Sequence, residues 1–232
     1  LLLAAGLLIT QGRRWMGRVS LTFNRFESPS TSKFAAYLRS LGQLAIVILS
    51  LYLLTRAWDI SRLHDNNLAL LLEHAIWIIA PFFGSRWMAK QLFPLDALTQ
   101  SPLPMQAALR PQARLITHWL GFVVSVQIFM GYLRDASDFN NDTIAVYTFI
   151  LVLIGSVVTF RLGLMVWKNT VGIVDDQSIT KAPNRLITRL GQAFAAVSVI
   201  SFGLAMIGYS DAADALLFSS LLSAGLLAVL FV

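Results

Sequence analysis

The sequence predicts an all-α, polytopic membrane protein with about seven transmembrane helices arranged as successive helical hairpins. Only 13% of its residues are charged and 56% are hydrophobic, whereas soluble domains carry roughly 25% charged residues. The stretch 143–160 contains no charged residue. As a helix it would roughly cross the ~30 Å hydrocarbon core of a bilayer. Charged residues also gather between such apolar stretches, which is typical of membrane helices joined by polar loops.

The charges on either side of stretch 143–160 indicate its orientation. Asp138 and Asp142 precede it, whereas Arg161 and Lys168 follow it. Because positive charge tends to stay on the cytoplasmic side, we expect this helix to run from outside to inside. The other loops then alternate, with basic loops inside and acidic or balanced loops outside.

The loops divide the chain into six segments with distinct roles. They are the end of a transmembrane helix with a basic interfacial segment (1–33), a first hairpin (34–92), a proline-rich cytoplasmic loop (93–114), a second hairpin (115–167), a cytoplasmic loop (168–186) and a third hairpin (187–232). The expected apolar helices cover 1–10, 34–55, 67–83, 115–133, 143–167, 187–209 and 215–232. Both ends of the sequence fall inside apolar runs, so we expect a fragment of a longer chain.

The residue types and their spacing argue against several kinds of site. The chain has no cysteine, which excludes disulfides, thiolate zinc sites and cysteine nucleophiles. His64, His74 and His118 lie in different segments and show no metal-binding spacing. There is no glycine-rich phosphate loop and no GxSxG motif. We therefore expect neither an enzyme nor a bound cofactor or metal.

The net charge of +6 bears on the partners of the protein. The basic residues lie at the ends of apolar runs, where they set topology and meet anionic lipid headgroups. We therefore expect membrane lipids as partners and no nucleic acid.

Glu73 and His74 form the one candidate polar site within a predicted helix. An ionisable group inside a membrane is a functional hypothesis, such as a proton relay or a lipid contact. The alternative is that both lie at headgroup depth. Neighbouring residues also point about 100° apart on a helix, so at least one of the two faces elsewhere.

Four glycines with small neighbours predict close contacts between helices: Gly155, Gly163, Gly191 and Gly203. Small residues let helix backbones approach each other within a membrane. The alternative is that these positions mark lipid-filled crevices.

Basic and aromatic residues at the expected inner surface are candidates for lipid contact. Such side chains anchor helices at the interface and can bind anionic headgroups. The alternative is that they only set the topology. The candidates are Arg13, Arg14, Trp15 and Arg18 in the interfacial segment, together with Arg39, Trp87 and Lys90.

Three patches of the sequence resemble a known family. They are the stretch 77–94 (WIIAPFFGSRWMAKQLFP), the stretch 110–114 (RPQAR) leading into LITHWLG, and GYSD at 208–211 before a Leu- and Ser-rich helix. Together they resemble the N-terminal transmembrane (paddle) region of large members of the small-conductance mechanosensitive (MscS-like) channel superfamily. The most similar group is bacterial and carries a periplasmic domain of unknown function.

The resemblance implies a homo-heptamer in the bacterial inner membrane, with this chain as its peripheral tension-sensing region. Such a channel opens under membrane tension and protects the cell from osmotic stress. The family's pore helix is dense in Gly and Ala, and nothing here matches it, so the pore region is expected after residue 232. Two alternatives remain open. One is a secondary transporter or lipid-handling membrane protein with a polar path near Glu73 and His74, and the other is a structural membrane scaffold.

Overall fold

The computed structural model of the protein describes residues 29–61, 74–95, 103, 105–136, 140–173 and 181–231. Every regular element within these ranges is helical. In chain order the helices are α1 (Pro29–Ser61), α2 (Ala75–Leu92), α3 (Arg110–Ala136), α4 (Asn141–Ile173), α5 (Lys181–Met206) and α6 (Ser210–Phe231), with one 3₁₀ turn (Ala107–Leu109) before α3.

Five of these helices are long and apolar enough to cross a membrane. The stretches that qualify by length and composition are Ser40–Trp58, Ala107–Arg134, Asp142–Lys168, Leu186–Met206 and Ser210–Ala228. The all-α class is thus confirmed for the described residues, and five such helices suggest a multi-pass membrane protein.

The predicted count of about seven transmembrane helices is not confirmed. The predicted helix 1–10 lies outside the described residues. Helix α2 is not among the five that qualify within the described residues, and the first part of the predicted helix, 67–73, lies outside them. Pro81 lies inside this helix.

The chain divides into two compact units, Leu1–Phe83 and Gly84–Val232. In the first unit, polar side chains of α1 bond within their own helix. The Ser50 hydroxyl donates to the carbonyl of Ile46 at 2.6 Å, and Arg56 donates to the Tyr52 hydroxyl at 3.2 Å. A helix in lipid needs such local partners, because no water is present to supply them.

In the second unit, α4 is the central helix and contacts α3, α5 and α6. Short connections make each helix antiparallel to the next, so α3–α4 and α5–α6 are two hairpins. These hairpins pack together through the α4–α5 contact. Val152 of α4 lies in a buried cluster with Ala205 of α5 and with Ala213 and Leu217 of α6.

The turn between α5 and α6 depends on Gly208. Its φ of 97° is in the left-handed region, which favours glycine because a Cβ would be strained there. Its amide donates to the carbonyl of Ala205 at 3.1 Å, and the amide of Tyr209 donates to that of Leu204 at 2.9 Å. This pair of bonds is a Schellman motif, which closes the helix end and redirects the chain into α6.

Two glycines bring the backbones of α4 and α5 into direct contact. A Cβ placed on Gly163 would lie 2.8 Å from the carbonyl oxygen of Gly191 and 2.9 Å from the amide nitrogen of Ala195. A Cβ on Gly191 would lie 2.8 Å from the amide nitrogen of Trp167. The prediction of close packing at Gly163 and Gly191 is therefore confirmed.

The other two glycines differ from this pair and from each other. A Cβ on Gly155 would lie 2.9 Å from Leu217 Cδ2 and 3.5 Å from Val123 Cγ1, so close packing is confirmed there too. No atom of the described residues lies within 4 Å of a Cβ on Gly203, so the packing prediction is wrong at that position for the part of the chain that the structure describes. The reason is geometric, because Gly203 faces away from the buried stripe of α5.

Buried and exposed side chains follow the pattern of a membrane bundle. The buried faces of α4 and α5 carry small and hydroxyl residues: Thr148, Val152, Ser156, Thr159, Ala195, Ser198, Ser201 and Ala205. The exposed faces carry large apolar residues, which include Val146, Ile150, Val157, Val199, Ile200 and Phe202. Small residues inside and large apolar residues outside suit a bundle that is surrounded by lipid.

The Gly163–Gly191 contact predicts a position-specific cost of adding a methyl group. We expect Gly163→Ala and Gly191→Ala each to destabilise the protein by about 1–3 kcal/mol, because the new Cβ meets backbone atoms that cannot move aside. Gly203→Ala is the matched control on α5 and should not destabilise. Unfolding in detergent micelles by increasing SDS, followed by circular dichroism, measures the difference. Equal effects at positions 191 and 203 would contradict the contact.

Candidate functional site at the basic end of the bundle

Antiparallel packing brings the start of α3 to the same end of the bundle as the ends of α4 and α6. A buried cluster of Leu92, Phe93, Met105 and Ala113 marks this end. Partly buried Leu162 and Val166 of α4 and Ala228 of α6 pack against that cluster.

Charge divides sharply between the two ends of the bundle. The end that holds the Phe93 cluster, called the basic end below, carries Arg110, Arg114, Arg161, Lys168 and Arg189. The opposite end carries Asp142, Asp211 and Asp214, with Arg134 as a basic residue. The basic end is the one that the positive-inside tendency predicts to be cytoplasmic.

The distance between the two ends matches a bilayer. The stretches 114–134, 142–161 and 189–209 each join a polar or aromatic residue at one end to one at the other. At 1.5 Å per residue each spans about 30 Å, the thickness of the hydrocarbon core. Arg161 is exposed and is the first basic residue after the uncharged stretch 143–160.

A group of four nitrogen-bearing side chains lies next to the buried cluster to which Leu92 of α2 and Ala113 of α3 both belong. Arg86 and Lys90 are one turn apart on α2, and Arg114 and His118 are one turn apart on α3. The positive charges of Arg114, Arg86 and Lys90 all act on the imidazole of His118. The two pairs therefore form one cluster, which we call the α2–α3 basic cluster.

Within this cluster, His118 has a buried ring nitrogen. Its Nε2 atom is buried and has no hydrogen-bond partner among the described residues. A buried polar atom normally finds a partner, so this nitrogen is available to a group from outside the described chain.

Arg110 bonds to described residues on both sides of the connection between α2 and α3. Its Nε donates to the carbonyl of Met105 and its Nη1 to the carbonyl of Pro94, both at 3.3 Å. These bonds tie the chain after α2 to the start of α3. Arg110 thus serves as an internal tie, whereas the four members of the α2–α3 basic cluster are positioned by α2 and α3.

Exposed aromatic side chains lie next to the cluster on α3. Trp119 is 52% exposed and Phe122 is 48% exposed. Their rings meet edge to face, with centroids 5.8 Å apart. Phe122 follows His118 by one turn, toward the middle of the expected membrane span. The cluster is therefore bordered by a surface that fits hydrocarbon.

The structure places some of the predicted lipid contacts and not others. Trp87 and Lys90 lie in the last turns of α2. Lys90 belongs to the α2–α3 basic cluster, and Trp87 follows its member Arg86 in the chain. Arg39 lies in α1. The candidates Arg13, Arg14, Trp15 and Arg18 lie outside the described residues.

The predicted polar site at Glu73 and His74 is placed only in part. Glu73 lies outside the described residues. His74 directly precedes α2, and its carbonyl accepts the amide of Ile78 at 3.1 Å. It therefore takes part in starting the helix.

A polar contact that the sequence did not predict joins α3 to α6. Gln127 Nε2 donates to Asp214 Oδ1 at 2.7 Å. Gln127 is a lone amide within the apolar stretch 119–131, which is the signal that could have identified it. Asp214 was expected in a short outer turn, but it lies within α6. The contact binds the two hairpins together near the acidic end.

Four buried hydroxyls add to the polarity of the interior. Ser125, Ser156, Thr159 and Ser201 have no hydrogen-bond partner within the part of the chain that the structure describes. In that same part, no group of three or more His, Asp or Glu residues is placed to hold a metal ion.

No family model, no curated protein and no solved structure matches the chain. Its function is therefore inferred from the residues and their arrangement.

The Gln127–Asp214 contact predicts a coupling that a double-mutant cycle can measure. We expect Gln127→Leu to destabilise the protein, because it leaves a partly buried carboxylate without its donor. The double variant Gln127→Leu/Asp214→Leu should lose less than the sum of the single variants, with a coupling of about 1–2 kcal/mol. SDS unfolding of the four proteins provides the cycle. A coupling near zero would show that the two side chains do not depend on each other.

Proposed function

We propose that this chain is the peripheral, tension-sensing transmembrane region of a mechanosensitive ion channel of the MscS-like superfamily. In this proposal the protein is a homo-heptamer in the bacterial inner membrane and protects the cell from osmotic stress. The resemblance of three sequence patches to that family supplies the identity of the channel. The geometry of the α3–α6 bundle supplies a mechanism.

The observation that carries the mechanism is the distribution of side chains over the bundle. Its interior is closed by small residues at the Gly163–Gly191 contact, and its outer faces are large and apolar. Such a bundle responds to lateral force as one body, because its helices cannot slide without separating backbone atoms. The free energy of the bundle in the membrane then depends on how well the length of its apolar surface matches the thickness of the bilayer.

Membrane tension acts on this match. Tension thins the bilayer, whereas the charged ends of the helices stay about 30 Å apart. A thinner bilayer therefore favours a greater tilt of the bundle, and a tilted bundle occupies more area in the membrane plane. If the open channel holds the bundle in that tilted state, tension shifts the population toward the open channel.

Patch-clamp recording is the direct test of channel activity. The full-length protein, which in this proposal includes the pore region, is expressed in a bacterial strain that lacks its own mechanosensitive channels, and suction is applied in steps. We expect currents that begin at a reproducible tension. Silence up to patch rupture, with the protein present in the membrane, would overturn the channel proposal and favour the transporter or scaffold hypotheses.

Lengthening the apolar part of α4 tests the mechanism. Arg161→Leu moves the first basic residue after stretch 143–160 to Lys168 and adds about 10 Å of apolar helix. We expect a lower tension threshold with unchanged conductance, because the longer apolar helix exceeds the thickness of the bilayer and favours the tilted state by about 1 kcal/mol or more per subunit. Arg161→Lys is the control and should leave the threshold unchanged. An altered conductance at an unchanged threshold would contradict a peripheral position.

A further inference from the structure

We propose that the α2–α3 basic cluster binds the phosphate of an anionic phospholipid, through Arg86, Lys90, Arg114 and His118. The inference rests on the proposed contact of this chain with lipid, and it does not need channel activity. It goes beyond the expected interfacial role of Trp87 and Lys90, because it assigns one headgroup to one set of side chains.

Convergence of positive charge is the first argument. Two helices each contribute a pair of nitrogen-bearing side chains spaced one turn apart. Met88 and Leu92 of α2 pack in one cluster with Ala113, the residue before Arg114, and the positive charges of Arg114, Arg86 and Lys90 all act on His118. Like charges held together repel each other unless an anion lies between them. A phosphodiester supplies that anion, and its oxygens accept charge-assisted hydrogen bonds from guanidinium and ammonium groups.

The unpartnered nitrogen of His118 is the second argument. Nε2 is buried and lacks a hydrogen-bond partner among the described residues. His118 and Arg114 lie one turn apart on the same face of α3. A phosphate held by Arg114 is therefore within reach of this nitrogen, which donates a hydrogen bond in the tautomer that carries its proton there.

The apolar surface beside the cluster favours a lipid over a soluble phosphate as the ligand. Arg114, His118 and Phe122 follow one another on a single face of α3, one turn apart, from the basic end toward the middle of the membrane span. Trp119 packs edge to face against Phe122, and both rings are exposed. A headgroup at the cluster would place an acyl chain along these rings, whereas a free phosphate would leave them unused.

Native mass spectrometry of the detergent-purified protein tests this assignment. The probes are phosphatidylglycerol, which is anionic, and phosphatidylcholine, which is neutral overall. We expect phosphatidylglycerol to bind more tightly. Arg86→Gln/Lys90→Gln and, separately, Arg114→Gln should each lower its affinity about tenfold, because each removes charged hydrogen bonds. Equal binding of the two lipids to the unaltered protein would overturn the proposal.

A matched control separates this site from the general charge of the basic end. Arg161→Gln/Lys168→Gln removes two exposed basic residues at the same end of the bundle, but on α4. We expect this variant to bind phosphatidylglycerol within about twofold of the unaltered protein, since binding at the cluster does not use these side chains. An equal loss in the control would show that only overall charge matters.

Two further measurements are needed. One tests whether the bound phosphate belongs to a lipid or to a soluble anion, and the other tests whether a variant at Arg114 loses affinity without losing stability. Inorganic phosphate at millimolar concentration should not displace phosphatidylglycerol, and displacement would assign the site to a soluble anion. Arg114→Lys keeps the charge but loses the two-pronged geometry, so it should bind with intermediate affinity. Its unfolding in SDS should match that of the unaltered protein. Full affinity of both Arg114→Lys and Arg114→Gln would exclude Arg114 from the site.

Discussion

The contact between Gly163 and Gly191 is the constraint on which the rest of the bundle depends. It joins backbone to backbone, so it fixes both the separation of α4 and α5 and their register. Ser156 lies seven residues before Gly163, and Ser198 lies seven residues after Gly191. Antiparallel packing therefore brings these two serines to one level. The same register places Val152 beside Ala205, where both join Leu217 of α6 in the buried cluster. A change of register would break these contacts together.

Close packing takes the place of the hydrophobic effect in such a bundle. Lipid tails are as apolar as the side chains, so burying a large apolar residue between helices gains little. Contact between small residues and hydrogen bonding hold the helices instead. Ser198 donates to the carbonyl of Phe194 at 2.6 Å, and Thr117 donates to that of Ala113 at 2.9 Å. Both bonds stay within one helix, so they satisfy the hydroxyls without linking neighbours. The link between helices comes from the glycines and from Gln127 with Asp214.

The sequence could predict what depends on local composition, and it failed where partners mattered. The length of the apolar stretches and the charges at their ends predicted helices α3 to α6. Glycines with small neighbours predicted the close contacts at Gly155, Gly163 and Gly191. Gly203 looks the same in the sequence but lies on a face without a neighbour, and only the rotation of α5 distinguishes it. The hydrogen bond between Gln127 and Asp214 joins residues far apart in the chain. Predicting it requires knowing that α3 and α6 are neighbours. The α2–α3 basic cluster has the same origin, because each helix alone shows only an ordinary pair of interfacial charges.

The basic end and the glycine contact are parts of one mechanical unit. The cluster of Leu92 and Phe93 lies at the end of α2, and Leu162 and Val166 of α4 pack against it. These two residues flank Gly163, so the chain that leaves α2 touches the same turn of α4 that contacts α5. Arg110 keeps that chain in place through the carbonyls of Met105 and Pro94. A force on α2 at the headgroup level therefore reaches the α4–α5 contact through packed side chains alone. In the proposed mechanism the bundle transmits this force by moving as a whole, because glycine backbones in contact cannot yield.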